Sequence, residues 1–325
     1  MKTDTQPTLN GLHHVTAVTA KAKENVGFYT RVLGMRMVKK TVNQDDVSAY
    51  HLFYADALGS AGTDLTFFDW AGIRTAQNGA GTVSETALRV LGGEESLNRW
   101  TKWFEEQKVS YGRIEERSGL PTLSFRDGEG QRLRLIAESR EATEGEFHPW
   151  VGSPVPIESA IVGLGAVNLT VRDADETIAF LTDVLGFRER AGDAGVFETG
   201  SGGVGSLVRV EGSTYHGSQG AGGVHHVAWR VENVEQLLDW QRHLQNHGLG
   251  TSGKVDRHYF QSLYFRIPGG ILFEIATDGP GFAADGEDPE HLGEKLALPP
   301  FLEPSRTRIE AGLAPLDYQP ANRQP

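Results

Sequence analysis

Apolar and polar residues along this chain follow a pattern whose period changes in a regular order. Apolar residues alternate with polar ones over a short stretch, then recur at spacings of three and four, and then return to three short strand-like stretches. Successive strand side chains point to opposite faces, whereas helical residues three and four apart share one face. The pattern therefore predicts a unit of one strand, one helix and three further strands.

Four copies of this unit follow one another along the chain. They are predicted near residues 11–69, 82–137, 161–210 and 222–276. The helix of the fourth unit is predicted near 233–246, where the spacing places four apolar residues on one side: Val234, Leu237, Leu238 and Leu244. Such a stripe is typical of a helix that packs on a sheet.

The first and third units are related by an internal repeat. Residues 28–36 read FYTRVLGMR and residues 180–188 read FLTDVLGFR, which agree at six of nine positions. The offset of 152 residues (180 minus 28) also places residues 11–15 on residues 163–167, so the match includes the preceding strand. Because self-similarity at a fixed offset indicates a duplicated unit, two homologous halves are predicted.

The units predict two domains and two further segments. Residues 1–145 would hold the first and second units, and residues 161–277 the third and fourth. Residues 146–160 contain three prolines and are predicted to be the linker, because proline interrupts helices and strands. Residues 278–325 are rich in proline, glycine and charge, and are predicted to form an extension that wraps the surface.

Composition limits the kinds of function. The chain has 325 residues, 38% of them hydrophobic, which is enough for two domains with their own cores. Its apolar runs fall short of the roughly 18 residues that span a bilayer, and its polar start lacks a signal-peptide core, so a cytoplasmic protein is expected. A formal net charge of -12 without a basic run argues against a nucleic-acid partner.

The strongest chemical signal is a repeated pair of histidines. Residues 11–15 read GLHHV, residues 223–227 read GVHHV, and Glu274 follows within an otherwise apolar strand. With no cysteine in the sequence, a metal would be bound by His, Asp or Glu. An unpaired carboxylate in an apolar strand costs several kcal/mol, and a metal ion would compensate it. Two imidazoles and one carboxylate leave an open face for oxygen activation at non-haem Fe(II).

Four such units, together with these histidine pairs, resemble the vicinal oxygen chelate superfamily. The resemblance implies an α+β fold in which four βαβββ modules form two paired half-barrel domains that can enclose a metal. Members of this superfamily include extradiol ring-cleaving dioxygenases, glyoxalase I and metal-free resistance proteins. The fold alone therefore does not fix the function.

The distribution of ligands narrows the resemblance. The superfamily takes ligands from the first and last strands of a module, which implies His14, His226 and Glu274. The second and third modules lack histidines at these places, so the site is expected between the first and fourth modules. This distribution, together with residues 292–300, resembles the hydroquinone-type ring-cleaving dioxygenases.

The same resemblance implies residues that act beside the metal. His13, Arg257 and Tyr264 would move protons and stabilise negative charge on the substrate. Thr16 lies two residues beyond the first ligand, on the same strand face, where its hydroxyl can bond substrate or water. For His225 two positions stay open, beside the site or against the helix layer.

The resemblance implies a non-haem iron, extradiol-type dioxygenase that opens a hydroquinone or catechol ring with O2. Fe(2+) is the expected metal, and Mn(2+) accepts the same ligands. Two alternatives stay open: a glyoxalase-like enzyme in which Asp64 supplies a further ligand, and a metal-free protein that binds aromatic compounds. The sequence does not distinguish para from ortho diols, iron from manganese, or a monomer from a homo-oligomer.

Overall fold

A computed structural model of the chain describes residues 6–140, 143, 145–316 and 318. Within these ranges four βαβββ modules follow one another, as predicted. The strands of the first two modules are β1 (Leu12–Thr19), β2 (Arg36–Val42), β3 (Tyr50–Ala55), β4 (Asp64–Asp69), β5 (Thr82–Leu91), β6 (Tyr111–Arg117), β7 (Leu120–Arg126) and β8 (Arg132–Glu138). Those of the last two are β9 (Ile161–Val171), β10 (Arg188–Glu189), β11 (Val196–Glu198), β12 (Leu207–Gly212), β13 (Val224–Val231), β14 (Thr251–Asp256), β15 (Phe260–Arg266) and β16 (Leu272–Pro280).

The helices repeat the relation between the halves. They are α1 (Ala22–Gly27), α2 (Gly93–Gln107), α3 (Ala174–Ala179), α4 (Val234–Asn246) and, in the extension, α5 (Arg306–Gly312). Helices α1 and α3 each continue into a π-helical turn, Phe28–Val32 and Phe180–Val184, so the sequence repeat is also a structural repeat. No helix in the described part of the chain is long and apolar enough to cross a membrane.

The modules pair in an order that differs from the predicted domains. One eight-stranded sheet, with the order β14-β15-β16-β13-β1-β4-β3-β2, joins the fourth module to the first. The other, with the order β10-β11-β12-β9-β5-β8-β7-β6, joins the third to the second. Residues 1–145 and residues 161–277 therefore each contribute to both sheets. The physical reason is the free edge of each module's first strand, whose backbone groups are satisfied across β1–β13 and β5–β9.

Helix α4 buries a different stripe from the predicted one. Leu237, Trp240 and Leu244 are fully buried, whereas Val234 is 38% and Leu238 is 37% exposed. The buried stripe is therefore centred on Leu237, Leu244 and Trp240, and the other two predicted residues face outwards. A sheet contacts only a narrow strip of a helix, so apolar spacing overstates the width of the buried face.

The extension packs on the first module, on both faces of its sheet. Phe282 and Leu292 are buried in a cluster with Tyr259, beside the inner face. Further along, Leu298 packs with Val42 on the other side of β2. The extension thus packs against both faces of the sheet at its edge strand, β2.

Candidate metal centre

The three predicted ligands lie on neighbouring central strands of the sheet that joins the first and fourth modules. His14 of β1 stands opposite Ala228 of β13, and Ala228 stands opposite Glu274 of β16. His226 lies two residues before Ala228 and shares its face, because side chains alternate along a strand. The strand register therefore brings together two histidines that are 212 residues apart in sequence.

The ligand atoms converge on one point. The Nε2 atoms of His14 and His226 are 3.3 Å apart, and they lie 3.2 and 3.0 Å from Oε2 of Glu274. Two atoms bonded to one ion at about 2.1 Å and at right angles would be about 3.0 Å apart. Glu274 is fully buried, and within the described residues its Oε2 lacks a hydrogen bond of suitable angle. This orphaned oxygen between two imidazoles fits a divalent cation.

The protonation of these groups also suits a metal. Burial raises the pKa of a carboxyl group, but the adjacent His14 and His226 hold the pKa of Glu274 well below its usual range. Burial lowers the pKa of His226. Both shifts favour the ionised carboxylate and the neutral imidazole that metal binding requires.

Ser262 orients the carboxylate from the neighbouring strand. Its hydroxyl on β15 donates a hydrogen bond of 2.5 Å to Oε1 of Glu274, which turns Oε2 towards the histidines. The sequence analysis missed this residue. Its signal was strand alternation, since Ser262 lies two residues before Tyr264 and shares its face.

Each ligand histidine is backed by the histidine that precedes it. Nδ1 of His14 lies 2.9 Å from Nδ1 of His13, and Nδ1 of His226 lies 2.8 Å from Nδ1 of His225. A ligand that presents Nε2 to a metal carries its hydrogen on Nδ1 and donates it to its neighbour. With that assignment, His13 accepts at Nδ1 and donates from Nε2 to the carbonyl of Thr277, 3.1 Å away.

The two backing histidines differ in what else they contact. His13 is 3% exposed, has a hydrogen-bond partner at each ring nitrogen and lies outside the lining of the cavity beside the ligands. His225 lines the cavity beside Phe68 and Trp70, with ring centroids 5.4 and 5.7 Å away. Burial lowers the pKa of both backing histidines to about 3. Of the two positions left open for His225, the structure takes the one beside the site.

A cavity of about 330 Å³ opens next to the ligands. Small-molecule sites usually range from about 300 to 1,000 Å³, so this one suits a compact ligand. Six aromatic side chains form much of its wall: Phe53, Phe68, Trp70, Tyr259, Phe260 and Tyr264. Flat apolar walls of this kind favour a single aromatic ring.

Arg257 and Tyr264 line this cavity together. The guanidinium Nε donates to the hydroxyl oxygen of Tyr264 at 3.1 Å. The ring centroids of Tyr264 and His226 are 5.8 Å apart, so this tyrosine lies beside one of the ligands. Burial raises the pKa of Tyr264, which keeps its hydroxyl protonated at neutral pH.

Thr16 takes a different position from the predicted one. It is fully buried and does not line the cavity, and its hydroxyl is hydrogen-bonded to that of Thr66 at 2.8 Å. The hydroxyl of Thr66 in turn lies 3.0 Å from Nε2 of His51, which does line the cavity. Thr16 is therefore connected to the cavity through Thr66 and His51.

Asp64, the further ligand that the glyoxalase-like alternative would require, is buried. It stands opposite His14 across β1 and β4 and is 1% exposed. In the described chain the cluster of ligand atoms within 4.8 Å of one another contains His14, His226 and Glu274, without Asp64. Burial raises the pKa of Asp64 well above its usual range, with a smaller contribution from Asp56. A fourth ligand of the glyoxalase type has no support from this geometry.

The second sheet carries an ion pair where the first carries the ligands. Equivalent strand registers place Ala166, Glu85 and Arg134 at the positions of His14, His226 and Glu274. Arg134 contacts Glu85 at 2.9 Å, and Asn168 lies within 3.4 Å of both. A cation and an anion thus neutralise each other at the place where the first sheet has three potential ligands.

Comparisons with known proteins agree with this geometry. The sequence matches the family described as the Glyoxalase/Bleomycin resistance protein/Dioxygenase superfamily over residues 11–135 and 163–275. It is 45% identical to MhqA of Bacillus subtilis (strain 168), provisionally named a ring-cleaving dioxygenase, over 95% of this chain and 99% of that protein. It is 33% identical to the chlorohydroquinone/hydroquinone 1,2-dioxygenase of Sphingobium indicum (strain UT26S), over 91% and 93%.

A solved structure extends the agreement to the whole fold. The crystal structure of a provisionally named dioxygenase from Bacillus subtilis subsp. subtilis str. 168 matches with a TM-score of 0.88 and 38% identity, covering 97% of this chain and 99% of that one. The similarity therefore includes both sheets and most of the extension. The chain belongs to the glyoxalase/bleomycin resistance protein/dioxygenase superfamily.

Proposed function

We propose that the protein is an Fe(II)-dependent dioxygenase that opens the ring of hydroquinone-type diols with O2. The observation that carries the proposal is the convergence of His14, His226 and Glu274 beside an aromatic-walled cavity. Two imidazoles and one carboxylate are the ligand set of non-haem Fe(II) oxygenases. Similarity to a chlorohydroquinone/hydroquinone 1,2-dioxygenase over most of both chains supports the choice of substrate.

The metal and the cavity wall have separate tasks in this proposal. Held by His14, His226 and Glu274, Fe(II) would supply open coordination positions for a ring hydroxyl and O2 and would pass electrons between them. The aromatic wall sandwiches the ring and keeps bulk water away from it. Mn(II) accepts the same ligands, so the choice of metal is part of the proposal.

Polar residues at one side of the cavity would act on the ring oxygens. Arg257 and the hydroxyl of Tyr264 are hydrogen-bonded to each other and both face the cavity. A cation and a hydroxyl there stabilise the negative charge that a deprotonated ring oxygen carries. His225 accepts from His226 at Nδ1, which leaves its Nε2 hydrogen to bond a ligand oxygen. His13 holds His14 in place without touching the substrate.

Oxygen consumption tests the proposal directly. Protein reconstituted with Fe(II) without oxygen would be offered hydroquinone, methylhydroquinone and catechol, with O2 uptake and product absorbance recorded together. We expect one O2 consumed per ring opened, fastest with a para diol. The Glu274→Gln protein should lose uptake and bind Fe(II) more than about tenfold more weakly, because it lacks a charged ligand.

Asp64→Asn is the matched control near the site. It neutralises a buried acid opposite His14 but removes no predicted ligand, so Fe(II) content and uptake should persist. Loss of metal in Asp64→Asn would favour the four-ligand, glyoxalase-like alternative. Ring binding without uptake in the metal-loaded protein would favour a binding protein instead.

A further inference from the structure

The mouth of the cavity carries a charged pair that links two modules. Arg257, at the end of the β14 hairpin strand, donates from Nη2 to Oδ2 of Asp45 at 3.0 Å. Asp45 belongs to the loop between β2 and β3, in the first module. Among the described residues that line the cavity, Arg257 is the only Arg or Lys, and Asp45 is the only Asp or Glu. Together they give the entrance no net charge, although the guanidinium remains a local cation beside the hydroxyl of Tyr264.

The loop holds Asp45 in this position. Its backbone N–H donates to Oδ1 of the buried Asn43 at 2.9 Å. The adjacent Gln44 donates from its side chain to the carbonyl oxygen of Arg257 at 3.0 Å. Two contacts therefore join the loop to Arg257, one of them independent of the carboxylate.

The Arg257–Asp45 pair affects whether the cavity binds rings that carry a carboxylate. Without Asp45, the guanidinium would leave the mouth positively charged and would attract a ring with a carboxylate substituent. With Asp45 present, such a substituent meets a carboxylate 3.0 Å from that guanidinium. The aromatic wall beyond offers a carboxylate little to replace its hydration.

We propose that Asp45 is a specificity-determining residue that makes this site select uncharged dihydroxybenzenes over carboxylated ones by neutralising Arg257 at the cavity mouth. The identity of the ring in this inference rests on the proposed function. The charge argument depends only on the contact between Asp45 and Arg257. Asp45 also holds Arg257 against Tyr264, so its carboxylate acts on selection and position together.

Anaerobic titration calorimetry with hydroquinone and 2,5-dihydroxybenzoate tests the selection without turnover. Asp45→Asn keeps an oxygen for the guanidinium and removes the charge. We expect the ratio of the two dissociation constants to shift towards the carboxylated ring by about threefold or more, the size of one exposed charge interaction. The ratio of kcat/KM values should shift in the same direction.

Asp46→Asn is the matched control, since it removes the same charge from the same exposed loop while its carboxylate bonds Ser48 instead. Its ratio should stay within error of the wild type. The shift in Asp45→Asn should also shrink as salt rises from about 0.01 to 0.5 M, because salt screens exposed charges. A purely structural role would not follow salt in this way.

The outcomes separate this inference from the proposed function. Equal shifts in both variants, no shift, or no binding of either ring overturns the inference. The expected binding shift without oxygen uptake by any Fe(II)-loaded protein supports the inference and overturns the proposed dioxygenase.

Discussion

A single residue type, histidine, has two proposed tasks at this site, because one histidine of each pair would bind the metal and the other would orient it. The sequence identified the pairs but could not assign the second task, because strand alternation only says that one member of each pair faces the interior. His13 and His225 occupy equivalent positions in the two copies of the motif, yet only His225 lines the cavity. The difference depends on Thr277 and on the aromatic neighbours of His225, which come from distant segments.

Removing the backing of one ligand should weaken the metal site without removing a ligand. In His13→Ala, the Nδ1 hydrogen of His14 loses its acceptor, so Fe(II) affinity should fall by about tenfold to a hundredfold. A chelator competition at equilibrium measures it. His13→Asn supplies a carbonyl acceptor and should recover part of the loss, and His247→Ala, on an exposed histidine at the end of α4, should change nothing. Equal affinity in His13→Ala would show that the pair has no orienting role.

The raised pKa of Asp64 predicts the direction in which the free energy of unfolding changes with pH. Burial raises its pKa, so the folded protein keeps a proton that the unfolded chain releases above about pH 4. Stability is therefore lost as pH rises from there towards the folded pKa. Asp64→Asn avoids this loss, and its unfolding free energy should exceed that of the wild type by about 1 kcal/mol or more at pH 7.5, with a smaller gain at pH 4.5.

Urea unfolding at both pH values measures this effect. Asp56→Asn serves as the contrast, because Asp56 accepts backbone hydrogen bonds from Leu58 and Ser60 and should lose stability instead. A gain for Asp64→Asn that is larger at pH 4.5 than at pH 7.5 would mean that the folded protein holds this carboxyl ionised.

At the scale of elements, a buried charge connects the extension to the site. Lys39 of β2 is fully buried and contacts the carboxylates of Asp285, at 2.9 Å, and Glu287. The hydroxyl of Tyr259 donates to the same Asp285 at 3.0 Å. The next residue, Phe260, packs 5.2 Å from the ring of His14. The extension therefore supports one wall of the cavity.

Replacing this lysine should cost stability and loosen that wall. Lys39→Met leaves two partly buried carboxylates without their cation, so we expect unfolding in urea to become easier by about 2 kcal/mol. Asp285→Asn added to Lys39→Met removes one of the orphaned charges and should recover part of the loss. If the double variant is no more stable than Lys39→Met, Lys39 does not stabilise the fold by neutralising Asp285.

The sequence predicted where helices and strands begin and end more closely than it predicted which of their residues are buried. The helix predicted at 233–246 is observed at Val234–Asn246, yet its buried stripe includes Trp240 and leaves out Val234 and Leu238. Periodicity depends on local spacing, whereas burial depends on which strands lie beneath the helix. The role of the extension could not be predicted for the same reason. A lysine in a strand is usually solvent-exposed, and Lys39 is buried because Asp285 of the extension contacts it.

For the whole molecule, sequence order and spatial order differ. The duplication at an offset of 152 residues predicted the modules, but it could not show that β1 pairs with β13 and β5 with β9. Only the ligands indicated that pairing, since they occur in the first and fourth modules. The chemistry of three residues thus predicted the long-range contact that hydrophobic pattern could not. The other sheet, with Glu85 and Arg134 at the equivalent positions, has the same pairing without the ligands.

Metal binding should therefore stabilise the whole fold by joining its first and last modules. Because the ligands on β1, β13 and β16 come together only in the folded chain, an ion at 100 times its Kd adds about 2.7 kcal/mol. That corresponds to a rise in Tm of about 4 °C for a chain of this size. Scanning calorimetry of chelator-treated and Fe(II)-loaded protein measures it, with Mn(II) in parallel. At the same ion concentration, Glu274→Gln should cut the rise to about half or less, whereas an undiminished rise in that variant would mean that the stabilising ion binds elsewhere.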